Sequence, residues 1–261
     1  MASRLILPAG WREPDQTVIM ATTPRSGSTL LSGLLDSTGL LRRTAEYFND
    51  REIQRWTGKA RASIKEKLLT IEQQSRTDGN LISMKLFPPE MLTVLDHGLP
   101  DTAFRNIRFI YLQRQDVLGQ ALSLARALQT DQWNSVGFGP KVGAEYDETA
   151  IREAINRVVT HNAWWQSYLA TQNVPLIRLT YEEVEAHPAD AVASVVRFLG
   201  FDPAQYPVRL EKIALRKQRD ETTEEWRRRF LARDHSPVHL WDGRPKARTV
   251  RNAALFLRKK L

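Results

Sequence analysis

A chain of 261 residues with 42% hydrophobic content can bury a full core, and one domain spanning residues 1–261 is the simplest organisation. With 38 Lys and Arg against 30 Asp and Glu, the formal charge of +8 directs attention to polyanionic partners. The lack of cysteine excludes disulfides, thiolate metal sites and cysteine nucleophiles, and fits a cytoplasmic protein.

The lead-in, Met1 to Asp15, carries only the short apolar patch Leu5-Ile6-Leu7, too brief for a secretory leader, and no later run approaches membrane-spanning length. Gln16 to Thr23 is the first expected strand, because Val18 to Met20 is an unbroken apolar run. The turn Pro24-Arg25-Ser26-Gly27 then leads into a helix starting at Gly27 to Thr29, with Leu30, Leu31, Leu34 and Leu35 on one face and Gly39 as its stop. A helix start leaves backbone N–H groups unpaired and carries partial positive charge, so it can hold a phosphate or sulfate. Arg25 adds a forked cation, and Ser26, Ser28 and Thr29 add hydroxyls. The alternative is an ordinary strand-to-helix turn.

This turn departs from the ATPase loop: Thr22 and Ser28 stand where G-x-x-x-x-G-K-[ST] has its first Gly and its Lys. The next strands, Leu81 to Leu86 and Asn106 to Gln113, run into Lys85 and Arg114 where a magnesium-binding carboxylate would be needed. Nucleotide chemistry without a metal is the expectation. Lys85 is a candidate for the ligand face, or else a surface lysine at a strand end.

Glu46-Tyr47-Phe48 lies on an expected surface crossing over Leu40 to Asp50, where a solvated acid beside a hydrophobic anchor is one reading. Residues 52–76 read as helical and peripheral. Pro88-Pro89 opens a helix reaching about His97, and a further helix begins at Asp116, placing Arg114 in the turn where α/β folds put ligand contacts. Residues 130–145 suggest a mobile loop or lid. A long helix follows from Asp147 to Ala170, its Trp164-Trp165 belonging to core or interface. Val174 to Leu179 is the fourth strand, Thr180-Tyr181-Glu182-Glu183 a capping box, and Pro188 to Leu199 a helix closed by Gly200. A helix over Thr222 to Ala232 precedes a basic amphipathic tail, 249–261, for which the body, a second subunit in a homodimer, or a membrane surface are the candidate contacts. Strands alternating with helices predict a parallel sheet flanked by helices on both faces.

Four stretches in order, Arg25-Ser26-Gly27-Ser28-Thr29-Leu30-Leu31, Glu46-Tyr47-Phe48, Arg114 to Ala127, and Gln218-Arg219-Asp220 with Trp226, resemble the Stf0 family of bacterial carbohydrate sulfotransferases. The resemblance implies the P-loop-like sulfotransferase fold and 3'-phosphoadenosine-5'-phosphosulfate (PAPS) as donor. It implies that Arg25 to Thr29 bind the 5'-phosphosulfate, that Arg114 and Ser123 bind the 3'-phosphate, and that Gln218 contributes to donor binding. Glu46 matches the family's general base, with Arg25 acting beside it on the leaving group. Arg43, Tyr47, Phe48 and Lys85 are then candidates for the acceptor side. Gln115, Arg43 and Arg219 depart from the family pattern, the latter two near the acceptor pocket and in the C-terminal loop.

The expected reaction is sulfuryl transfer to a hydroxyl of a sugar or glycolipid, without metal or nucleic acid. The histidines His97, His161, His187, His235 and His239 are scattered, and Pro237 spoils a helical metal pair between the last two. The rival readings are a degenerate P-loop phosphotransferase and a non-catalytic nucleotide-binding protein.

Overall fold

The computed structural model describes residues 6–133, 143–212 and 221–233. Gln218, the tail 249–261 and positions 134–142 of the expected loop lie outside the described residues. Four strands, β1 (Gln16–Ala21), β2 (Leu81–Leu86), β3 (Ile107–Gln113) and β4 (Leu176–Thr180), form one parallel sheet in the order β2-β1-β3-β4. Ten α-helices occur among the described residues: α1 (Ser28–Thr38), α2 (Asp50–Thr57), α3 (Ile64–Gln74), α4 (Pro88–Asp96), α5 (Leu99–Thr102), α6 (Val117–Thr130), α7 (Glu148–Thr171), α8 (Tyr181–Ala186), α9 (Pro188–Phe198) and α10 (Glu221–Leu231).

The two-residue alternation of a strand sorts β1 between two cores. Val18 and Met20 join Leu31, Leu34 and Leu35 of α1 and Val192, Val195 and Val196 of α9. Ile19 and Ala21 join Met84, Phe109, Met91 of α4 and Trp165 of α7 on the other face. Helices therefore cover both faces, which is why Val18 to Ala21 is apolar without interruption. A third cluster, built from Leu122 and Ala125 of α6, Ile151 and Val158 of α7, and Trp226 and Phe230 of α10, extends the body beyond the sheet.

Two stretches refine the sequence expectation. The helical reading of residues 52–76 resolves into two helices, because Gly58 ends α2 in left-handed backbone and Ser63 with Glu66 opens α3 through a reciprocal capping box. They lie against the edge strand β2, with Ile53, Leu68 and Ile71 fully buried on their inner faces. The crossing over 40–50 is also more enclosed than expected: Ala45 bridges to Met84, and the Lys85 amide donates to the Ala45 carbonyl.

Because the strands are parallel, the turns that follow β1, β2 and β3 open on one edge of the sheet. β1 has β2 on one side and β3 on the other, and connections leave in both directions there. Open α/β sheets bind ligands at such a crevice.

Candidate active site

After Ala21 the chain makes a turn in which Arg25 and Gly27 both take left-handed backbone, with φ of 64° and 89°. The turn is held from inside. Thr22 Oγ1 donates to the Leu112 carbonyl at 3.2 Å and lies 2.5 Å from Ser26 Oγ, so the Ser26 proton goes to Thr22. The Thr22 carbonyl accepts from Trp165 Nε1 at 2.8 Å, and Gln120 Nε2 donates at 2.7 Å to both Thr23 Oγ1 and the Pro24 carbonyl. Gly27 ends the turn. A Cβ there would lie 2.2 Å from Tyr181 Cδ2, so the position excludes a side chain by contact as well as by backbone conformation. No side chain caps α1, which leaves its first-turn amides at Ser28 and Thr29 directed to the cleft they line.

That cleft, of about 1100 Å³, runs across the carboxyl edge of the sheet. One wall is cationic. Arg25 donates through Nε to Ser123 Oγ at 2.8 Å and through Nη1 to the Trp133 carbonyl. Burial first, then the nearby charges of Arg114 and Arg126, pull its guanidinium down to about 10, so it stays a cation among cations at neutral pH. Arg114 lies 5.0 Å over the Tyr181 ring, and its Nη2 is 3.6 Å from Asp116 Oδ2. Asp116 Oδ1 accepts from the Gly119 amide at 2.9 Å and caps α6, while Glu182 receives the Gln115 and Asp116 amides.

The same cleft is also lined by carboxylates. Glu46 Oε1 is 3.3 Å from Lys85 Nζ and Glu46 Oε2 accepts from Asn49 Nδ2 at 2.9 Å. Glu52 and Glu90 line the same region. Burial raises both of their carboxyls, and the Glu46 charge adds to the effect.

The structure therefore brings Arg25, Gly27, Ser28, Thr29, Arg114, Ser123, Glu46 and Lys85 to one cleft. It turns the Ser26 hydroxyl inward, where Ser26 is fully buried and holds the turn. Tyr47 and Phe48 sit in the core, and the Tyr47 hydroxyl donates to the Arg43 carbonyl at 2.6 Å. Arg43 does not line the cleft: it donates to Gln74 Oε1 at 2.6 Å and packs 5.4 Å over Trp56.

Several cleft residues carried no local signal: Glu52, Glu90, Arg126, Arg157, His161 and Arg227. His161 arrives because α7 crosses the sheet edge, pinned one turn later by Trp165 to Thr22. Burial, with Arg157 adding to it, pulls the imidazole down to about 4, so it is neutral near pH 7. Among the described residues no cluster of three or more His, Cys, Asp or Glu is arranged to hold a metal ion, and no helix is long and apolar enough to cross a membrane.

A family model described as Stf0 sulphotransferase matches residues 17–79 and 86–233. Over 122 residues the chain is 30% identical to trehalose 2-sulfotransferase of Mycolicibacterium smegmatis, covering 46% of this chain and 44% of that protein. Over 126 residues it is 29% identical to trehalose 2-sulfotransferase of Mycobacterium tuberculosis, covering 48% and 45%. The matched stretch thus spans less than half of either relative. Among solved structures, the chain is similar to a sulfotransferase from Alicyclobacillus acidocaldarius, with a TM-score of 0.48 and 13% identity over 83% of this chain and 92% of that one. It is also similar to a mouse sulfotransferase complexed with PAP, with a TM-score of 0.45 and 13% identity over 93% and 83%.

Proposed function

The chain belongs to the Stf0 sulphotransferase family, and from that premise we propose that it moves a sulfuryl group from PAPS to a hydroxyl of a carbohydrate or glycolipid acceptor. The single observation that carries this reading is that one cleft is lined both by the Arg25 and Gly27 turn, with its uncapped helix start, and by the Glu46 and Lys85 pair.

The donor set suits a multiply charged nucleotide. Arg114 and Arg227 each keep a buried Nε–H with no partner among the described residues. PAPS supplies a sulfur whose bond to phosphate breaks as the acceptor oxygen bonds to it. Arg25 and the amides of Ser28 and Thr29 would hold the phosphosulfate and stabilise the charge that gathers on the departing phosphate oxygen, at no reorganisation cost because the turn is already fixed. Glu46 would take the proton from the acceptor hydroxyl. Lys85 stands beside that carboxylate, ready to pair with the transferring oxygens. Arg114 and Ser123 would bind the donor's 3'-phosphate.

Carbohydrate acceptors fit the carboxylate wall. Glu52, Glu90 and Asn49 offer hydrogen-bond acceptors to the many hydroxyl donors of a sugar, near the base that deprotonates one of them. The test is transfer of labelled sulfate from PAPS to a panel of free sugars and glycolipids, without added divalent cation. Transfer to at least one sugar hydroxyl supports the reading; donor binding with no transfer to any member argues for a nucleotide-binding protein instead.

A further inference from the structure

Two guanidiniums that line the cleft, Arg114 and Arg227, depend on one carboxylate. Asp116 Oδ2 accepts from Arg227 Nη2 at 2.6 Å and stands 3.6 Å from Arg114 Nη2, so one carboxylate oxygen is shared by two arginines from different elements. Both arginines line the cleft, and the Nε–H of each is buried with no acceptor among the described residues. A buried, unpaired donor on a charged group is costly, and two on one wall are an arrangement a bound anion would repair.

The local sequence is shaped to bring Arg227 there. A Cβ on Gly119 would lie 2.1 Å from Asp116 Oδ2 and 2.6 Å from Arg227 Nη2, so the bare backbone at this point of α6 leaves room for the carboxylate and guanidinium where they stand. α10 is fastened to α6 at a second point, where Arg126 Nη1 donates to Thr223 Oγ1 at 2.6 Å. Trp226 and Phe230 anchor the same helix in the third apolar cluster. The apolar face of α10 thus fixes its position, and Arg227 projects from it toward the carboxylate that also holds Arg114.

We infer that Arg227 is a donor-binding residue: Arg114 and Arg227, yoked by Asp116, form a two-arginine clamp for a phosphate monoester, the 3'-phosphate of the donor nucleotide. This rests on the proposed PAPS reading, which assigns Arg114 and Ser123 to that phosphate and gives Arg227 no place on it. Asp116 is a positioning residue that spaces the two guanidiniums and holds one to the other. A phosphate offers enough acceptor oxygens to meet both forks at once, and arginine, unlike lysine, presents the Nε–H that such a contact uses.

Isothermal titration of the full chain with adenosine 3',5'-bisphosphate and with adenosine 5'-phosphate, at one fixed salt concentration, tests the clamp. The wild type is expected to prefer the bisphosphate at least tenfold. Arg227→Gln is expected to lower that preference by tenfold or more while leaving affinity for adenosine 5'-phosphate unchanged. Arg227→Lys keeps the charge but not the Nε–H, and is expected to lower the preference by at least threefold. Equal weakening of both ligands, or no change in either, would overturn the clamp and leave Arg227 a staple between helices. A wild type that binds neither nucleotide would sink the PAPS reading itself.

Discussion

Glu46 and Lys85 meet at 3.3 Å beside the bridge that ties Ala45 to Met84, so a loop residue with no regular structure of its own is registered against the edge strand β2. The Lys85 amide donates to the Ala45 carbonyl at 2.8 Å, which fixes the backbone one residue before Glu46. The carboxylate is thereby tied to the sheet, as the proposed role of a base that must meet a hydroxyl at hydrogen-bond distance requires.

Glu46→Gln keeps the shape and, through its one amide oxygen, one of the two contacts with Lys85 and Asn49, but cannot take a proton. We expect kcat to fall by roughly 10²–10⁴-fold with affinity for adenosine 3',5'-bisphosphate unchanged. Single-turnover transfer assays beside nucleotide titration check this. Full activity in the variant would remove Glu46 from the chemistry.

Gly27→Ala puts a side chain on backbone at φ 89° and 2.2 Å from the Tyr181 ring. A cost of about 1–3 kcal/mol in folding stability is expected from the conformation alone, with nucleotide affinity lost as the turn shifts. Tyr181→Ala in the same chain should recover part of the stability, because the ring clash goes while the backbone strain stays. Additive losses in the double variant, measured by urea unfolding, would contradict the contact.

His161 provides a pH signature. Its folded-state value is depressed to about 4 against about 6.5 in an unfolded chain, so below the higher value the unfolded state binds the extra proton. Stability therefore falls as pH drops through that window and is regained above it. Glu52, Glu90 and Asp36, whose carboxyls are raised first by burial, slope the other way. The difference between wild type and His161→Asn isolates the histidine: melting temperature against pH should decline less steeply in the variant. Parallel curves would mean that the imidazole is not buried neutral.

Much of the framework was legible because it rests on local chemistry. The unbroken Val18 to Met20 run, the acid at Asp116 and the Thr180 to Glu183 capping box are each found where strand, cap and helix start begin. The break at Gly58 was hidden among strong helix formers, and a glycine within such a run is a weak stop until Ser63 and Glu66 are seen to open a second helix. Tyr47 and Phe48 beside an acid fit either a binding surface or a buried anchor, and only the packing against α2 and the sheet decides for the core. Ser26 shares its motif with Ser28, yet the left-handed backbone at Arg25 and Gly27 sends the two hydroxyls in different directions. Arg227, Glu90 and His161 belong to three helices far apart in the chain, and their meeting is a product of topology for which no local pattern exists.

The central claim is that the turn through Arg25 and Gly27 grips a sulfonated nucleotide without the help of a divalent ion. Calorimetric binding of adenosine 3',5'-bisphosphate in the presence of a chelator tests it most directly. We predict saturable binding to the wild type that weakens at least tenfold in Arg25→Gln. An absence of binding under these conditions, together with magnesium-dependent binding of ATP, would contradict it.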